Sequence, residues 1–231
     1  MILGLSIGCA YKFVNSKNRD NILTLYRENF SDNINAIEFV ISENDLKNFK
    51  ISKINYDWLK ELKYVSFHLL TSHDSYLKIF KCIKNNKLKI DNFICHIDQI
   101  NNIPEFFKTA FKNKIIFENI DSAKLNYEDC FDMCFDTSHA LKFGKKYLID
   151  LFNEKKEQIK QIHLSNHKKM NEYGHDLFIN NSIFPEYEKN KNNNIEIIKK
   201  LNIKKYPIIV ENICNNLTEL KQEIKFIKEN L

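Results

Sequence analysis

Glycine and proline are scarce, with four and three residues in a chain of 231. The loops are therefore expected to be short or polar rather than flexible and glycine-rich. No CxxC pair occurs among the six cysteines Cys9, Cys82, Cys95, Cys130, Cys134 and Cys214. Their scatter excludes a disulfide scaffold and a zinc ribbon, and the expectation is buried free thiols in a reducing cytoplasm. No apolar run reaches the roughly 18 residues of a membrane span. Met1–Ala10 is apolar but lacks a basic segment before it, so export is not expected. The net charge is +5, yet no block of about five like charges forms an arm for nucleic acid, and the excess reads as solvated lysines.

What the chain does have is 43% hydrophobic residues, arranged as short runs that alternate with helix-like stretches. The runs are Ile2–Gly8, Ala36–Ile41, Tyr64–Leu70, Asn92–Ile97, Lys114–Ile120, Asp132–Asp136, Ile159–Asn166 and Tyr206–Ile213. Ile, Val and Phe dominate them, and their length suits buried parallel strands. Between them, Asn18–Phe30 carries an apolar stripe of Ile22, Leu23, Leu25 and Tyr26. Ser75–Ile83 carries Leu77, Ile79, Phe80 and Ile83, and Leu217–Ile227 carries Leu217, Leu220, Ile224 and Ile227. Strand then helix, repeated around the chain, predicts an α/β fold, a (β/α)8 TIM barrel filling residues 1–231 as one domain. Two places depart from the repeat. A short helix is expected at Ser122–Asp129, and the long stretch between Leu164 and Tyr206 contains the polar, low-complexity Lys189–Asn194.

Polar residues sit where plain strands would have none. His68, His96, Glu118, Asp136 and Glu211 each end an apolar run, His163 follows Gln161-Ile162, and Glu38 lies in the second run. The C-terminal ends of barrel strands are where active sites are built. If Glu118 points inward, strand alternation points His68, His96, Asp136, His163 and Glu211 inward too, with Phe67, Cys95, Phe117, Phe135, Ile162 and Val210 outward. Carboxylates converging in one mouth repel unless protonated or bound to cations. Imidazole mixed with carboxylate suits Zn, Mn or Fe better than Mg or Ca, and divalent ions, two of them, are expected. His73 and His167 hold no strand-end position and read as surface residues.

The segment Phe135-Asp136-Thr137-Ser138-His139-Ala140 resembles the aspartate–histidine strand-six motif of the xylose-isomerase-like TIM barrels, which include the sugar-phosphate isomerases and epimerases and endonuclease IV. Phe117-Glu118-Asn119, Ile162-His163-Leu164-Ser165-Asn166 with Gly174-His175-Asp176, and Val210-Glu211-Asn212 resemble its other motifs in order and spacing. The resemblance implies that Glu118, Asp136, His163 and Glu211 form a common metal site. It implies that His68 and His96 hold an additional metal, as in endonuclease IV-like members. His139 and His175 would serve a further metal, but Tyr173 stands where that site's aspartate is expected.

Two functions follow from the resemblance. In sugar or sugar-phosphate isomerisation or epimerisation, Glu118 and Glu211 act as acid and base on one carbon, with Glu38 and Asn119 contacting substrate. In phosphodiester hydrolysis at abasic DNA, the metals activate water; His68 and His96 favour this. Leu69-Leu70-Thr71 after His68 and the lack of a basic-aromatic stripe oppose it. Other di-metal chemistry, including oxidation with iron, and a catalytically idle binding barrel are further alternatives. The isomerase reading is preferred.

Overall fold

The computed structural model describes residues 1–14, 19–40, 46, 49–69, 73–120, 132–167, 177–178 and 194–231. Eight strands form in the eight apolar runs: β1 (Leu3–Ser6), β2 (Ala36–Val40), β3 (Tyr64–His68), β4 (Asn92–His96), β5 (Ile115–Glu118), β6 (Met133–Asp136), β7 (Ile159–Leu164) and β8 (Ile208–Val210). Each pairs in parallel with its neighbours in chain order, and β8 returns to β1, closing the barrel. The described helices are α1 (Arg19–Phe30), α2 (Lys53–Glu61), α3 (His73–Asn85), α4 (Glu105–Phe111), α5 (Thr137–Leu141), α6 (Lys145–Lys155), α7 (Asn194–Lys200) and α8 (Leu217–Asn230). The chain is thus a (β/α)8 barrel. The helix expected at Ser122–Asp129 lies outside the described residues, as do residues 189–193 of the low-complexity stretch.

The outward faces of the strands explain why the helices dock. Phe39 stacks on Phe67 with centroids 5.9 Å apart, and Phe67 lies 6.4 Å from Phe93. Phe93 meets Phe107 and Phe111 of α4, and Phe135 meets Phe152 of α6. Each buried phenyl contributes roughly 1.5–3 kcal/mol relative to exposure. The α3 stripe differs from the sequence reading: Leu77 is exposed, and Tyr76, Ile79 and Ile83 face the core. Helical spacing from Ile79 favours Tyr76 and Ile83, three before and four after, over Leu77 two before.

Registry fixes what shares the barrel interior. At its lower end Ala36, Tyr64 and Ile209 pack together with Ile2. Gly4 pairs with Ala36, and a Cβ on Gly4 would stand 2.6 Å from the Ala36 carbonyl oxygen, so only glycine fits there. Ile94, Ile116 and Cys134 form an inner apolar cluster. One layer above, His96 pairs with Glu118 and Asp136 with His163. Glu211 follows the last residue of β8, and its backbone N–H donates to the Leu164 carbonyl.

Candidate functional site

Glu118 is the centre of the cluster. It is buried at the end of β5, and its Oε2 lies 3.1 Å from His68 Nε2 and 3.1 Å from His96 Nε2. Its Oε1 lies 2.5 Å from Nδ1 of the buried His163. The same Nδ1 lies 3.2 Å from Oε2 of Glu211. His68 places Nδ1 3.3 Å from the Leu69 carbonyl; a ring proton donated there leaves the Nε2 lone pair facing the Glu118 side, where a cation could share it.

Two donor sets that could each hold an ion meet at this carboxylate. His68, His96 and Glu118 form one; Glu118, Asp136, His163 and Glu211 form the other, with the potential ligand atoms of each set within 4.8 Å of one another. Asp136 supplies the clearest sign of fit. Its Oδ1 caps α5 by accepting the His139 N–H at 2.7 Å, while Oδ2 is buried without a hydrogen-bond partner. A buried carboxylate oxygen without a donor is costly unless something positive faces it. Oxygen and imidazole donors in this mixture match a divalent transition ion.

The electrostatics push the carboxylates apart. Burial alone would raise the Glu118 carboxyl, but the facing His163, His68 and His96 outweigh it and hold it well below the usual range. Glu211 goes the other way: burial and repulsion from Glu38, Glu118 and Asp136 outweigh His163 and push it well up. Burial disfavours the charged His163, yet Cys134, Glu211, Glu38 and Glu118 around it raise it well above an ordinary imidazole. Metal binding requires a bare lone pair on His163 Nδ1 and an ionised Glu211, so both protons must leave. Both groups hold them above their ordinary titration ranges, so affinity should fall as pH is lowered through neutrality. Calorimetric titration of metal into the protein in buffers of different ionisation enthalpy should report release of up to about two protons per ion. No proton release would show that the ion binds elsewhere.

Several residues expected at the site have other tasks. Asn119 is buried, and its side chain clamps the Asp136 backbone, donating to the carbonyl at 2.9 Å and accepting the N–H at 2.7 Å. That bidentate pairing extends the β5–β6 ladder. Glu38 is fully buried, with Oε2 3.0 Å from His163 Nε2. His139 is buried with its ring centroid 6.5 Å from that of His96, and it belongs to none of the donor sets among the described residues. His175 and Tyr173 lie outside the described residues, as does the His73 side chain. His167 is not a surface residue: it is buried, with Nδ1 3.1 Å from the Ser138 hydroxyl.

The sequence reading also passed over a polar layer beneath the cluster. Ser66 and Gln161 both donate to Glu38 Oε2 at 2.8 Å, and the Tyr64 hydroxyl donates to Gln161 Oε1 at 2.6 Å. The signal was present, because Ser66 and Gln161 stand two residues before His68 and His163 and so share their inward face. Cys134 shares that face too and lies within ligand reach of Glu118 and His163. Burial pushes its thiol well up, which makes it a neutral neighbour of the cluster. The five described cysteines are buried and free. No described helix is long and apolar enough to cross a membrane.

No family model matches the chain, and no curated protein does. Among solved structures it is similar to the 3,6-anhydro-D-galactonate cycloisomerase from Zobellia galactanivorans, with a TM-score of 0.46 and 9% identity over 95% of this chain and 55% of that one. The chain spans about half the length of that enzyme.

Proposed function

We propose that this chain is a metal-dependent isomerase or epimerase acting on a sugar or sugar phosphate, using two divalent ions, Zn, Mn or Fe. One observation carries the reading: Glu118 and Glu211 converge on the same imidazole nitrogen from β5 and β8, beside the buried, unpartnered Oδ2 of Asp136. Glu211 is the proton carrier, since its side chain is 12% exposed at the mouth while that of Glu118 is 2% exposed. It takes a proton from the carbon beside a substrate carbonyl. In isomerisation it returns that proton to the neighbouring carbon while the hydroxyl proton passes to the carbonyl oxygen, and in epimerisation Glu118 delivers a proton to the opposite face of the first carbon. Glu118 exchanges that proton with the three imidazoles it touches. A bound divalent ion supplies polarisation of the carbonyl oxygen and lets the clustered carboxylates remain ionised together.

The sharing of Glu118 between two donor sets favours a second reading, two-metal phosphodiester hydrolysis of the endonuclease IV kind. The two readings predict different products. Metal-loaded protein should interconvert members of an aldose, ketose and sugar-phosphate panel in D2O, with deuterium entering at the carbon beside the carbonyl. Cleavage of an abasic-site duplex, with no deuterium uptake by any sugar, would replace the isomerase reading with the hydrolase.

A further inference from the structure

We propose that Glu38 is a positioning residue, whose buried carboxylate holds the Nε2–H of His163 and so turns Nδ1 of that ring toward a metal ion. This rests on the reading of His163 as a metal ligand. Both residues are fully buried, and Glu38 Oε2 lies 3.0 Å from His163 Nε2. The opposite edge of the ring faces the donor set, with Nδ1 2.5 Å from Glu118 and 3.2 Å from Glu211. A neutral imidazole carries one ring proton. With that proton on Nε2 and accepted by Glu38, the Nδ1 lone pair is left for the cluster.

The carboxylate is itself held in place. The Asn92 amide donates to the Tyr64 hydroxyl at 2.6 Å, Tyr64 donates to Gln161, and Gln161 and Ser66 donate to Glu38 Oε2. In this chain the Gln161 oxygen faces the Tyr64 hydroxyl and its nitrogen faces Glu38. Its nitrogen lies 2.9 Å from His163 Nε2, so two donor nitrogens converge on one carboxylate oxygen. A ligand histidine whose far nitrogen is held by a carboxylate has a fixed tautomer, a fixed ring plane and raised basicity, and loss of such a partner typically weakens metal binding about 10–100-fold. Glu38 therefore acts on the metal through His163, from below, without touching ion or substrate.

The test is Zn2+ affinity of the full chain, measured by competition with a chromophoric chelator, alongside long-range 1H–15N NMR of the zinc-loaded protein. Glu38→Gln keeps the volume and removes the charge, and should weaken zinc binding about 10–100-fold. Ser66→Ala removes a different hydrogen bond to the same oxygen, leaves the Glu38 charge and its contact with His163 in place, and should weaken zinc binding less than Glu38→Gln does. In wild type the His163 ring should be protonated at Nε2, with a downfield, exchange-protected proton that moves upfield in Glu38→Gln. The wild-type spectrum needs no variant and decides the tautomer even if Glu38→Gln folds poorly. Equal losses in Glu38→Gln and Ser66→Ala, wild-type affinity in Glu38→Gln, or a ring protonated at Nδ1 in the zinc-loaded protein would each overturn the positioning role. If His163→Ala keeps wild-type zinc affinity, the ligand reading itself falls and takes this proposal with it. Loss of zinc in His163→Ala but not in Glu38→Gln removes the positioning role alone.

Discussion

Glu118→Gln should lower turnover by at least about 10²–10⁴-fold, the range typical of a lost acid–base group. The expected loss is large because one substitution disturbs both donor sets. The two carboxylate oxygens divide their contacts, Oε2 to His68 and His96 and Oε1 to His163. A glutamine has one acceptor oxygen, so its amide nitrogen must face one of these imidazole groups and offers no lone pair to an ion. Elemental analysis should show one metal position retained and the other lost, because the side facing the amide nitrogen no longer binds. Substitution of both His68 and His96 by alanine should empty the position they form with Glu118, while Glu118, Asp136, His163 and Glu211 keep the other. Wild-type turnover in Glu118→Gln, on a substrate the wild type converts, would make this glutamate structural and end the proposed mechanism.

Asp136→Ala should cut metal-dependent stabilisation to what the His68, His96 and Glu118 set provides. In the parent chain, a metal at a hundredfold excess over its Kd should add about 2.7 kcal/mol to folding stability. For a chain of this size that is a rise in Tm of roughly 5–10 °C. Asp136 contributes the buried Oδ2 that has no protein partner, so the free energy gained by meeting a cation is concentrated there. Its Oδ1 also caps α5, and loss of an aspartate N-cap costs about 0.5–2 kcal/mol by itself. The metal-free variant should therefore melt slightly below the metal-free parent, and added Zn2+ should raise its Tm by less than it raises the parent's. Calorimetric melting of both proteins with and without zinc checks this. An undiminished zinc-dependent rise in Asp136→Ala would place the ion away from the end of β6.

The comparison of Asn119 with His163 shows where sequence reading stops. Both are polar, both lie at or just past a strand end, and both fall in motifs with a family resemblance. Only the fold shows that Asn119 spends both ends of its amide on the Asp136 backbone, while His163 is gripped by carboxylates on both ring nitrogens. His167 makes the same point in reverse: nothing in its neighbours predicts burial, because the residue it meets, Ser138, lies 29 positions away. The exposure of Leu77 was a local matter of helix phase and could have been counted from the chain.

By itself the sequence determined the barrel and the convergence of its imidazole and carboxylate side chains. Apolar runs of strand length separated by helix-length stretches admit few packings. A side-chain period of two then sends His68, His96, Glu118, Asp136 and His163 to one interior, whatever the detailed coordinates. The tertiary structure decided which of these residues touch and what each is free to do. Depth in the barrel puts Glu38 against His163 Nε2, and the closure of β8 onto β1 brings Glu211 to the same nitrogen as Glu118. Those outcomes depend on distances between strands far apart in the chain, and on burial that drives Glu118 and Glu211 to opposite protonation. Neither is encoded in the spacing of residues along any single segment.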